Sequence, residues 1–173
     1  MKRLMLSLIA SATLAVIVGV TLPAPGQADV QAAAPFVTEM PDGYRDWRWI
    51  ASAHEEGNLN SLGAVLGNDV AIKAYREREF PFPDGTILAA LHYHHVASDE
   101  NNKVFGQAQS FVPGAPTNVQ FMVKDSKKYA ATGGWGFGHF QDGKPAAAAS
   151  MKSCFPCHEK ATGSDLVFTR YAP

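Results

Sequence analysis

The chain has 173 residues, a formal net charge of −1 and two cysteines. That length suits one domain with one core. A near-neutral charge balance gives no reason to expect nucleic acid or an anionic membrane surface as a partner.

Residues 1–28 have the layout of an export signal. Lys2 and Arg3 precede an apolar run to about Leu22, and small residues stand at Gly26 and Ala28. Cleavage after Ala28 is expected; it removes Lys2 and Arg3 and takes the net charge from −1 to −3. An uncleaved anchor is the alternative, and Ser7, Ser11, Thr13, Gly19 and Thr21 interrupt the apolar run against it. No cysteine stands near the cleavage point to carry a lipid. The mature chain is thus expected in the periplasm.

Residues 29–41, rich in Ala and Pro, read as a flexible lead-in, and residues 42–173 as a single domain that opens with Tyr44, Trp47 and Trp49. Residues 70–80 have helical spacing. A turn through Pro81, Pro83, Asp84 and Gly85 feeds a β-branched and aromatic strand over 86–96. Two further strands are expected over 105–112 and 119–124, separated by a turn at Pro113-Gly114-Ala115-Pro116. Residues 135–140 alternate glycine with aromatic or His side chains, a strand with one bulky face and one that permits close approach. The fold class is α+β, mainly an antiparallel β-sheet with a few helices, ending in a C-terminal helix.

That last helix carries Cys154-Phe155-Pro156-Cys157-His158, the C-x-x-C-H signature of covalent haem c attachment. Cysteines at i and i+3 share a helical face, where each thiol can add to one haem vinyl group. His158 then reaches the iron through an imidazole nitrogen. Ser153 is the expected N-cap, and Pro156 falls in the first turn, where a missing N–H costs little. A zinc knuckle needs a second ligand pair, which the sequence lacks. A thioredoxin-type dithiol has no use for the following His. One haem per chain is expected, with no cysteine left over for a disulfide.

The position of the motif separates cytochrome classes. Small electron-transfer cytochromes carry it early, with a methionine ligand downstream; here no methionine follows His158. The four-helix cytochromes c′ carry it late but need long 3.6-period segments, where residues 80–145 supply turns and strands.

Several motifs in order resemble the cytochrome P-460 family, which includes cytochrome c′-beta. They are Tyr44-Arg45-x-Trp47, Phe82-Pro83-Asp84-Gly85-Thr86, Met122-Val123-Lys124-Asp125, Gly133-Gly134-Trp135-Gly136-Phe137, and Cys154-x-x-Cys157-His158 followed by Asp165-x-Val167-Phe168-Thr169. The resemblance implies a mainly β fold, commonly homodimeric, with a five-coordinate haem, His158 as proximal ligand and an open distal side. Such sites bind nitric oxide or oxidise hydroxylamine; the sequence identifies no redox partner.

Members with the P-460 chromophore cross-link a lysine to the porphyrin. The resemblance places that lysine where this chain has Ala90, which cannot form the link. Lys124 and Lys73 are substitutes, weighed against solvated lysines on a strand and a helix. The reading without the cross-link, ligand binding or electron transfer, is preferred. Alternation puts Leu88, Ala90, His92 and His94 on one strand face and Ala89, Leu91, Tyr93 and His95 on the other. His92 is then a candidate distal group or sixth ligand, against the alternative of three exposed strand histidines. His139 is a weaker candidate. Trp135, Phe137 and Phe140 are expected in core or haem wall, and Arg45, Arg76 and Arg170 are candidates for the haem propionates.

Overall fold

The computed structural model describes residues 36–172. The export signal expected over 1–28 and most of the expected lead-in lie outside them.

Six antiparallel strands form one meander in the order β1 to β6: β1 (Arg48–Glu55), β2 (Ser61–Gly67), β3 (Ile87–Ala97), β4 (Phe111–Lys124), β5 (Trp135–Gln141) and β6 (Lys144–Pro145). Four helices complete the α+β fold: α1 (Asp69–Glu77), α2 (Asp99–Phe105), α3 (Ala148–Lys152) and α4 (Cys154–His158). Helix α1 stands where helical spacing places it. Its N-cap is Asn68, whose Oδ1 accepts from the Ala71 N–H at 3.0 Å, a cap worth about 1 kcal/mol. It ends where Arg78 turns left-handed at φ 56°.

The two faces of the sheet are covered differently. Ile50, Val65 and Leu88 on the inner face pack with Ala71, Ile72 and Tyr75 of α1, and with Trp135, Phe137 and Val167. On the outer face Ala89, Leu91, Phe121 and Phe140 form a second cluster, joined by Met40, Tyr44 and Trp47. The predicted alternation of β3 therefore holds through Tyr93, with His92 on the inner face and Tyr93 against the outer cluster. Register shifts flank Tyr93, so beyond it His94 is exposed and His95 stacks on Phe111 at 4.2 Å.

Four expectations are corrected. Strands β1 and β2 were not expected, because their Ala, Gly and Ser content carries little β-propensity. The strand expected over 105–112 is instead the end of α2 and a loop, with β4 starting at Phe111. Pro113-Gly114-Ala115-Pro116 is not a turn but part of β4, paired irregularly with β3 through Tyr93↔Pro116 and His95↔Pro113; an irregular pairing accommodates prolines that a regular ladder would not. The ordered fold also begins before residue 42: Phe36 bridges to Phe137, and the Val37 N–H donates to the Phe137 carbonyl at 2.8 Å.

Candidate functional site

Alternate residues of the central strands, joined by Ser52, Thr117, Phe121 and Gly138, line one cavity of about 830 Å³ on the inner face. Strand β1 supplies Ala51, Ala53 and Glu55, β2 Ser61, Gly63 and Val65, and β3 Leu88, Ala90 and His92. Strand β4 adds Asn118, Gln120 and Met122, and β5 adds Phe137. The middle strands present small side chains here, which leaves flat space above the sheet. Opposite them stand Cys154 and His158 of α4 and the C-terminal segment from Val167 to Ala172. That segment is tied down at both ends: the Tyr75 hydroxyl donates to the Thr169 carbonyl at 3.0 Å, and the Ala172 N–H donates to the Ile50 carbonyl at 2.9 Å.

His158 is held by the chain that follows it. Its Nδ1 lies 2.7 Å from the Leu166 carbonyl oxygen. A carbonyl only accepts, so Nδ1 carries the proton and Nε2 keeps its lone pair for a metal. Burial pushes the His158 pKa down, partly offset by the Leu166 bond, which favours the neutral, ligating imidazole. The ring packs between Phe137 at 5.0 Å and Phe168 at 4.9 Å. Cys154 is half-buried on the lining, and burial raises its thiol pKa; Cys157, three residues on, is exposed.

Asp165 and Leu166 are both left-handed, at φ 50° and φ 66°, a conformation costing roughly 1–2 kcal/mol for each side-chain-bearing residue. The surroundings hold them there. Lys124 Nζ donates to both Asp165 carboxylate oxygens at 2.9 Å and to the Gly133 carbonyl at 3.0 Å. The Phe82 N–H donates to Asp165 Oδ2 at 2.9 Å, and Trp135 Nε1 donates to the Asp165 carbonyl at 2.8 Å.

The other end of the cavity is polar. Ser61 Oγ donates to Glu55 Oε2 at 3.2 Å, His92 Nδ1 lies 3.9 Å from the same oxygen, and Gln120 Nε2 donates to Asn118 Oδ1 at 3.1 Å. Burial lowers the His92 pKa, opposed by Glu55 and reinforced by His139, so His92 is neutral at pH 7.

Ala90, His92 and Phe137 therefore stand on the cavity with Cys154 and His158. Trp135 does not: it is fully buried beneath the site, against Phe82 at 5.7 Å, and supports Asp165 instead of forming a wall. Ser153 is not a side-chain N-cap; its Oγ donates back to the Ser150 carbonyl at 2.7 Å, because α3 runs almost directly into α4. Of the three arginines considered, Arg170 lines the cavity, Arg76 donates to the Tyr171 hydroxyl at 3.2 Å, and Arg45 lies over Tyr44. Lys124 is neither solvated nor free, being 6% exposed in its ion pair. Lys73 is exposed on α1, 3.8 Å from Glu77. Sequence reasoning missed Glu55, Ser61, Asn118 and Gln120, whose common signal is a polar residue at alternate positions of a strand, visible only once the strands are known.

A haem fits this donor set. The cavity is mostly apolar, its middle is lined by alanine and glycine, and one prepared imidazole and one motif cysteine face it. His158 and Cys154 would hold the group, with Arg170 the cation available for a propionate.

No curated protein matches the chain. The family model described as Cytochrome P460 matches residues 41–169, a span that includes all the strand residues of the cavity and the C-x-x-C-H motif. The chain is a member of the cytochrome P460 family, a haem cytochrome whose cavity lies between the inner face of its sheet and His158.

Proposed function

We propose that the chain is an exported mono-haem cytochrome, with haem bound covalently through Cys154 and Cys157, that binds nitric oxide or a similar small molecule at a five-coordinate iron. The observation that carries this reading is the single fully prepared imidazole: Leu166 fixes the His158 tautomer, while His92 across the cavity is paired toward Glu55. Bound haem supplies an iron coordination site and one-electron chemistry. The protein supplies the proximal nitrogen, an apolar wall at Phe137 and Val65, and a neutral His92 that can donate a hydrogen bond to a ligand. Export places the protein in the periplasm, and the family resemblance supports a homodimer, which sedimentation tests.

A second reading, hydroxylamine oxidation, is favoured by one feature, the His92–Glu55 pair as a proton acceptor on the cavity. Against it stand Ala90, which has no nitrogen to cross-link, and Lys124, whose amine is engaged by Asp165. A simple electron carrier would need a second strong axial ligand. Absorption spectra with a nitric oxide titration decide among the three. A high-spin ferrous spectrum without the P-460 band, converted stoichiometrically by nitric oxide, is expected. A P-460 band with lysine bound to haem by mass would establish the enzyme, and a low-spin spectrum unresponsive to nitric oxide the carrier.

A further inference from the structure

We propose that the buried Lys124–Asp165 ion pair is a positioning device for the iron ligand: it fixes the Leu166 carbonyl that holds His158 in its Nδ1–H tautomer. The proposal rests on His158 being the haem ligand. Lys124 closes β4, and Asp165 stands 41 residues later, directly before the residue that bonds His158. Their side chains are 6% and 13% exposed.

A buried ion pair is an inefficient way to stabilise a fold, since apolar side chains of equal volume often do as well. What this pair does that an apolar pair would not is direct a chain in three dimensions. The Asp165 carboxylate accepts two bonds from Lys124 and one from the Phe82 N–H, while its carbonyl accepts from Trp135 Nε1. These hold the Asp165 side chain and the peptide plane between Asp165 and Leu166, at residues in a conformation that non-glycine residues rarely adopt. The Leu166 side chain is confined as well, since a Cβ on Gly133 would come within 2.9 Å of its Cδ1. With the Leu166 and Val167 N–H groups donating to the Ala161 and Ser164 carbonyls at 2.9 and 3.1 Å, the Leu166 carbonyl points toward His158. A hydrogen bond from the distal nitrogen of a ligating imidazole raises its basicity and fixes its plane, so the pair acts on the iron through Leu166.

The test uses the haem-loaded protein with Asp165→Asn, with Lys124→Met/Asp165→Leu, which leaves no lone buried charge, and with Lys124→Arg as the conservative variant. Read-outs are haem content, the ferrous iron–histidine stretch by resonance Raman, the midpoint potential, and crystal structures. Haem content near wild type is expected in all three. In the first two the stretch falls in frequency and broadens, the potential rises, and the His158–Leu166 contact opens; Lys124→Arg keeps the wild-type band. Folded variants with an unchanged band, potential and contact overturn the proposal. If His158→Ala leaves the wild-type band intact, the ligand assignment fails instead, and the crystallographic His158–Leu166 contact still tests the positioning.

Discussion

The two faces of one strand pair show what separates a core from a binding surface. On the outer face of β3 and β4, Ala89 and Leu91 lie against Phe121 and Phe140, whose rings meet edge to face at 5.6 Å, and all four are buried. One residue along, on the inner face, Ala90, His92 and Gln120 line a cavity of about 830 Å³. Both faces belong to the same hydrogen-bonded ladder, so backbone geometry cannot account for the difference. Side-chain volume does: large aromatics interlock outside, while inside Ala90, with Ala51, Ala53 and Gly63 of the neighbouring strands, forgoes contacts that a flat group could supply. A close-packed interior tolerates little void, and the inner face departs from that rule in the place where the C-x-x-C-H helix closes over it.

The comparison breaks most severely if the cofactor is denied its attachments. Cys154→Ala with Cys157→Ala is expected to abolish haem retention after acid-acetone extraction, and His158→Ala to abolish the normal ligand field even where thioether bonds form. Complete extraction of haem from the wild type would refute the covalent assignment.

The next largest effects should be opposite on the two faces. Phe121→Ala removes a ring that is 1% exposed and is expected to cost about 3–5 kcal/mol in urea unfolding. Ala90→Phe fills space instead of vacating it. It is expected to change unfolding less than Phe121→Ala while sharply lowering haem content by pyridine haemochrome. Full haem occupancy in Ala90→Phe would show that the inner face is not where the group sits.

The smallest effect concerns the polar end of the cavity. Burial is the largest cause lowering the His92 pKa from 6.5, so below that value the unfolded chain takes up the proton more readily than the folded one. The corresponding stability is complete above pH 6.5 and declines as pH falls through the folded-state pKa. His92→Gln should flatten this part of the dependence when urea midpoints are compared from about pH 7 to pH 5. Parallel curves for wild type and variant would place His92 in a solvated environment.

What the sequence alone determined was local. Cys154, Cys157 and His158 sit within five consecutive residues, so their chemistry follows from helical spacing without knowledge of the fold. The same holds for α1, with its 3.6-residue period, and for β3, whose period-2 alternation separated Ala90 and His92 from Ala89 and Leu91 before any sheet was known. Strands β1 and β2 were illegible because the residues that make room for the cavity, such as Ala51, Ala53 and Gly63, are poor strand formers by propensity, and only the pairing of β1 with β2 and of β2 with β3 makes them strands. Lys124 looked like a surface lysine because its partner Asp165 lies in a distant segment; burial and pairing are properties of the folded chain. Pro113 to Pro116 read as a turn because local chemistry favours one, and the irregular β3–β4 pairing overrides it. The orientation of His158 likewise depends on the Leu166 carbonyl, a backbone group that no sequence pattern distinguishes from any other. Its direction is set by left-handed dihedrals that Lys124, Phe82 and Trp135 hold in place from three separate parts of the chain.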